Sequence, residues 1–93
     1  MKLPINYNKA SREKRRLARE AYIKRQEGLC CHCKQPLSGP PSSEVDNMSL
    51  DLDLFPPNFL HWPVHLHHNH DTGMTIGAVH AKCNGVLWQY YGE

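Results

Sequence analysis

Leu66-His67-His68-Asn69-His70-Asp71-Thr72-Gly73 decides how the rest of the chain is read. The chain holds seven histidines in 93 residues, and His65, His67, His68 and His70 crowd into this region. From Trp62 to His68 the character alternates. Val64, Leu66 and His68 share one face, His65 and His67 the other, which is the pattern of a half-buried strand. Asp71-Thr72-Gly73 then predicts a turn, in which Gly73 can take a positive φ without a Cβ penalty. Thr75-Ile76-Gly77-Ala78-Val79 reads as the return strand. A helix is expected from about His80 to Tyr91, with Val86, Leu87, Trp88, Tyr90 and Tyr91 as core candidates. A strand that needed only burial would not be written this way. Imidazoles at such density point to metal ligation or proton transfer.

The four cysteines stand at 30, 31, 33 and 83. Cys30-x-x-Cys33 is half of a tetrahedral zinc site, and His80-x-x-Cys83 supplies the other half. One turn of helix separates His80 from Cys83, so the two share a face. Cys31 and His32 exceed a four-ligand set and are expected to pack in the knuckle rather than ligate. Meanwhile Met1-Lys2-Leu3-Pro4 lacks the apolar run of a signal peptide, and no stretch approaches the ~20 apolar residues of a membrane span. A cytoplasmic location is therefore expected, where thiols stay reduced and serve as ligands.

A chain of this length forms one core that is marginal without a staple such as zinc. The net charge of +2 hides an asymmetry. Residues 1–25 carry nine of the eleven Lys and Arg against Glu13 and Glu20, a balance of +7, and the remainder carries −5. Asn8 or Ser11 can cap a helix that runs to about Gln26 and is stopped by Gly28. On it Arg12, Arg15, Arg16 and Arg19 gather on one side, away from a narrow strip of Leu17, Ala18 and Ala21. Such a row can be a solvated face, but arginines aimed one way also suit a phosphate backbone, and DNA is the expected partner. The division expected is a basic arm and helix over 1–27 and a zinc-stapled domain over 28–93. The class is α+β. Residues 38–61 are the least informative part: residues 38–43 read as a loop, Asp46, Asp51 and Asp53 as solvated charges, and Pro56-Pro57 breaks any helix there.

Taken together, three segments resemble the HNH, or His-Me finger, nucleases, and within them the phage recombination endonuclease VII family. They are Gln26-x-Gly28-x-Cys30-x-x-Cys33, then Leu66-His67-His68-Asn69-His70-Asp71-x-Gly73, then Gly77-x-Val79-His80-x-x-Cys83-Asn84. The resemblance spans about two-thirds of the chain. It implies a ββα-metal unit that hydrolyses DNA phosphodiester bonds. Cys30, Cys33, His80 and Cys83 fall on the family's structural zinc ligands, with His80 where the family usually has cysteine. His68 falls on the general base. His67 falls on a ligand of the catalytic metal, where the family commonly has aspartate, and Asn84 falls on the second ligand. His70 matches a further histidine of the motif, for phosphate contact or site geometry. The implied cofactors are structural Zn²⁺ and catalytic Mg²⁺ or Mn²⁺, and a phage-encoded chain would work in the host cytoplasm.

A regular strand would send His67 and His68 to opposite faces, so the strand is expected to bend or end near His68. His65 is expected to be bystander packing. The family's junction resolvases continue into a long dimerising C-terminal part, whereas this sequence ends at Glu93. Nicking or cutting of double-stranded DNA is therefore expected ahead of branched-DNA resolution, with monomer and homodimer both open. The competing function is a zinc-ribbon-like nucleic-acid-binding module without chemistry. It would use the Cys3His set and the basic arm but has no need of His67, His68 and Asn84 together.

Overall fold

The computed structural model describes residues 1–93 and orders them as a long helix, a short one, a hairpin and a closing helix. The long helix, α1 (Arg12–Arg25), is capped by Ser11, whose Oγ accepts a hydrogen bond from the Lys14 amide at 3.1 Å. That bond satisfies one of the amide groups a helix start leaves without a partner. α1 stops at Gln26, and Glu27 and Gly28 follow in the left-handed region, at φ of 56° and 77°. After α2 (Ser43–Asp46) come β1 (Val64–His68), β2 (Thr75–His80) and α3 (Ala81–Tyr91). No helix is long and apolar enough to cross a membrane.

β1 and β2 pair antiparallel, from Val64 opposite His80 to His67 opposite Gly77. There the register slips. His68 pairs with Thr75, which leaves Ile76 as an extra residue on β2. Such a bulge bends a strand and raises its twist. The departure from a regular strand thus falls between His67 and His68, and β1 ends at His68. The turn beyond uses Gly73 at φ 77°, as its sequence requires.

α1 and α3 each pack on both strands and make no contact with one another, so the hairpin lies between them. Leu66 is buried with Ile5 and Ala18 toward α1. The larger core joins Cys30, Leu37, Val45, Ala78, Val79, Cys83 and Val86. Gln26 closes the open edge of β2. Its Oε1 accepts from the Ala78 amide and its Nε2 donates to the Ala78 carbonyl, both at 2.9 Å. A side-chain amide thereby stands where a third strand would pair, which blunts the edge. At neighbouring Gly77 a Cβ would lie 2.8 Å from Gln26 Oε1 and 2.9 Å from Cys31 Sγ. Gly77→Ala is expected to cost roughly 1–3 kcal/mol by overpacking. A thermal melt that matches the wild type would refute this account of Gly77.

Residues 38–61, the least legible part of the sequence, contribute to the core, because Ser42 caps α2 and Val45 enters it. Leu50 and Phe59 close on Gly85 of α3, where a Cβ would lie 2.8 Å from Leu50 Cδ1. The charges of Asp46, Asp51 and Asp53 do face solvent. Trp88, Tyr90 and Tyr91 are exposed rather than core, while Val86 and Leu87 are buried. A two-stranded hairpin is too narrow to cover more than one stripe of α3. Tyr90 instead donates its hydroxyl to the Ser49 carbonyl at 2.6 Å.

Candidate functional site

The Cys30–Cys33 segment is a tight hairpin that turns sulfur inward. The Cys30 amide donates to the Gln35 carbonyl at 2.8 Å, and Lys34 takes the left-handed conformation that reverses the chain. The His32 amide donates to Cys30 Sγ at 3.4 Å. From the opposite side come His80, the last residue of β2, and Cys83, one turn into α3. The four ligand atoms of Cys30, Cys33, His80 and Cys83 all lie within 4.8 Å of one another. His80 Nδ1 stands 3.4 Å from Cys33 Sγ and 3.6 Å from Cys83 Sγ. Zinc–ligand bonds of about 2.0–2.3 Å at tetrahedral angles put neighbouring donors roughly 3.6 Å apart, so the set fits a structural zinc ion. His80 Nε2 donates to the Pro36 carbonyl at 2.9 Å, which leaves Nδ1 with its lone pair toward the sulfurs.

The electrostatics agree with that fit. A hydrogen bond from Cys83 pulls the Cys30 thiol far down, and the same bond, with burial, pushes Cys83 up. Donors crowded this closely share protons unequally until a cation replaces the protons. Cys31 and His32 stay outside the set. The Cys31 amide donates to the Ala78 carbonyl at 3.0 Å, which seats the knuckle on β2.

A second cluster lies along β1. His67 is buried, and its Nδ1 stands 3.2 Å from Asn84 Oδ1, in the first turn of α3. Asn84 Nδ2 lies 3.1 Å from His65 Nδ1. His65, expected to be bystander packing, therefore orients the Asn84 amide so that its oxygen faces His67. Its place two residues before His67, on the same strand face, is the signal that points to this role. The 3.2 Å separation also suits two ligands of one cation, since bonds of about 2.1 Å at right angles place ligand atoms roughly 3.0 Å apart. Burial is the main force that lowers the pKa of His65 and of His67, so both favour the neutral, ligating form.

His68 projects from the end of β1. Its ring stacks on Tyr7 with centroids 4.0 Å apart and planes 6° from parallel, and the His70 ring lies 4.8 Å away. Burial, then the charge of His70, lowers the His68 pKa, while the Leu66 carbonyl, to which the ring can donate, opposes them. Neutral imidazole is the form that can accept a proton.

The arginines of α1 have unequal surroundings. Arg16 is held by Glu13 and by Glu20, the latter at 2.9 Å. Arg15 lies over the Tyr7 ring at 4.0 Å, close enough for its charge to act on His68. Arg19 lies close enough to act on His65. Arg12 is exposed. Arg15 and Arg19 thus act on different histidines of β1. No protein-family model, curated protein or solved structure matches this chain.

Proposed function

We propose that the chain is a metal-dependent endonuclease that hydrolyses DNA phosphodiester bonds by nicking or cutting the duplex. Its hairpin and α3 would form a ββα-metal unit of the HNH type, stapled by zinc at Cys30, Cys33, His80 and Cys83. The observation that carries this reading is the His67–Asn84 pair at 3.2 Å, built next to a histidine at the end of the strand. A DNA-binding zinc module without chemistry leaves that pair, and the His65 that orients it, without a purpose.

His67 and Asn84 would hold the cation, and the amide oxygen of Asn84 suits Mg²⁺ or Mn²⁺. When bound, a divalent ion at this place offers Lewis-acid neutralisation of the scissile phosphate and of the leaving 3′ oxygen. The chain's own residues do the rest. His68, neutral near pH 7, takes the proton from the attacking water as a general base. His70, exposed beside it, stands where a phosphate oxygen can be met. Arg12 and Arg19 offer guanidinium groups to the backbone, and Arg16 can join them, because exposed ion pairs are worth only about 0–1 kcal/mol and yield to a phosphate.

Incubation with supercoiled plasmid tests the proposal. Nicked or linear product is expected with Mg²⁺ or Mn²⁺ and none after removal of free divalent ions. An intact plasmid with every divalent ion at neutral pH would refute the enzyme and leave the binding module.

A further inference from the structure

Tyr7 lies outside all three segments that carry the resemblance, yet its ring covers one face of the His68 imidazole. The segment is held by the turn that follows β1. Asn6 forms a β-bridge with Met74, and the Tyr7 amide donates to the Gly73 carbonyl at 2.7 Å. The Asn6 side chain accepts from the amides of Asn8 and Lys9, at 3.0 and 3.2 Å, which turns the chain toward α1. Arg15 secures the other side. Its Nε donates to the Tyr7 carbonyl at 2.9 Å while its guanidinium lies over the Tyr7 ring. The Tyr7 ring thus has the Arg15 guanidinium carbon and the His68 ring each 4.0 Å from its centroid, too close for both to share one face.

We propose that Tyr7 is the positioning residue of His68, clamped in turn by Arg15, so that the N-terminal segment completes the active site. The inference rests on the reading of His68 as general base. An imidazole at a strand end has two side-chain torsions to fix, and proton abstraction needs the ring edge aimed at one water. Tyr7 meets the ring face to face, so it restricts both torsions without itself occupying either ring nitrogen. A hydrogen-bonding residue in the same place would occupy a nitrogen. The cation over the far face of Tyr7 holds the phenol ring by attraction to its π electrons. Arg15 therefore acts through Tyr7 rather than as a phosphate contact like Arg12 and Arg19. The phenol hydroxyl has no part in this, so phenylalanine should serve equally.

The test compares wild type, Tyr7→Phe, Tyr7→Leu and His68→Ala by plasmid cleavage with Mg²⁺ and by proton NMR of the histidine rings. Wild-type and Tyr7→Phe protein should share one kcat and show the His68 ring protons displaced upfield by the facing aromatic ring. Tyr7→Leu should lose that displacement and lose roughly 10–100-fold in kcat, with KM changed less than about two-fold, as expected of misaligned rather than missing chemistry. Full kcat in Tyr7→Leu beside an inactive His68→Ala would overturn the positioning role and leave the base assignment standing. An inactive wild type would instead sink the nuclease reading itself. If Tyr7→Leu fails to fold, the wild-type spectrum decides: His68 ring protons without an upfield displacement overturn the stack.

Discussion

His68→Ala is expected to reduce plasmid cleavage by about 10²–10⁴-fold, the usual contribution of a general base, while the protein stays folded and keeps its zinc. The two halves of that expectation have separate grounds. Catalytically, nothing nearby would replace the proposed base. His70 is exposed beyond the strand end, and His67 turns its Nδ1 toward Asn84. Structurally, His68 stands outside both buried clusters, and its main contact is the stack on Tyr7. Losing an aromatic pair costs about 0.5–1.5 kcal/mol beyond the buried area, which leaves a domain of ordinary stability folded. Single-turnover nicking with excess protein, metal analysis and circular dichroism would read all of this. Extra Mg²⁺ or Mn²⁺ should not restore the rate, because the proposed mechanism does not use His68 as a ligand. Cleavage at the wild-type rate by a folded His68→Ala protein would remove His68 from the mechanism.

What could be read from the chain beforehand was local. The hairpin was legible because Val64, Leu66 and His68 alternate with His65 and His67, and because Gly73 marks the one place where a positive φ is required. The Cys3His set was legible because ligand chemistry restricts spacing more tightly than burial does, and the structure brings its four donors together. Asn8 and Ser11 both announced the start of α1, and Ser11 is the one that caps it. The unread parts depend on contacts between distant residues. The tie between Ile5 and Thr75 joins positions 70 apart, and no periodicity in residues 1–7 predicts that Tyr7 will lie on His68. Val45 looked like one apolar residue in a loop, since a single buried side chain has no period. Trp88, Tyr90 and Tyr91 misled in the opposite direction. Their apolar bulk suggested core, but how much of α3 is covered depends on the width of the sheet beneath it. His65 lay between these cases, because its strand face was legible and its partner Asn84 was not.

Cys83→Ser is expected to release zinc and unfold the protein, a different failure from that of His68→Ala. Cys83 is fully buried in the larger core beside Cys30, Val79 and Val86, and only 18 of the 93 residues are buried at all. The cysteines form no disulfide, so no covalent link would take over from the metal. A serine hydroxyl stays protonated near pH 7 and offers zinc no thiolate. Binding at a structural zinc site is worth an apparent 10–16 kcal/mol or so, against a net stability of about 5–15 kcal/mol for a typical domain. Removing the ion therefore removes a quantity as large as the whole margin. The fold shows how the loss would spread. The four candidate zinc ligands join the Cys30 knuckle to the end of β2 and the start of α3, and Asn84 directly follows Cys83. Once α3 is no longer held to the knuckle, Asn84 leaves His67 and the proposed cation site loses one of its two residues. A strong chelator applied to the wild type should reproduce the same loss of helical signal, reversed by added Zn²⁺ under reducing conditions but not by Mg²⁺. A Cys83→Ser protein that lacks zinc and still melts at the wild-type temperature would show that the hairpin core holds the fold alone.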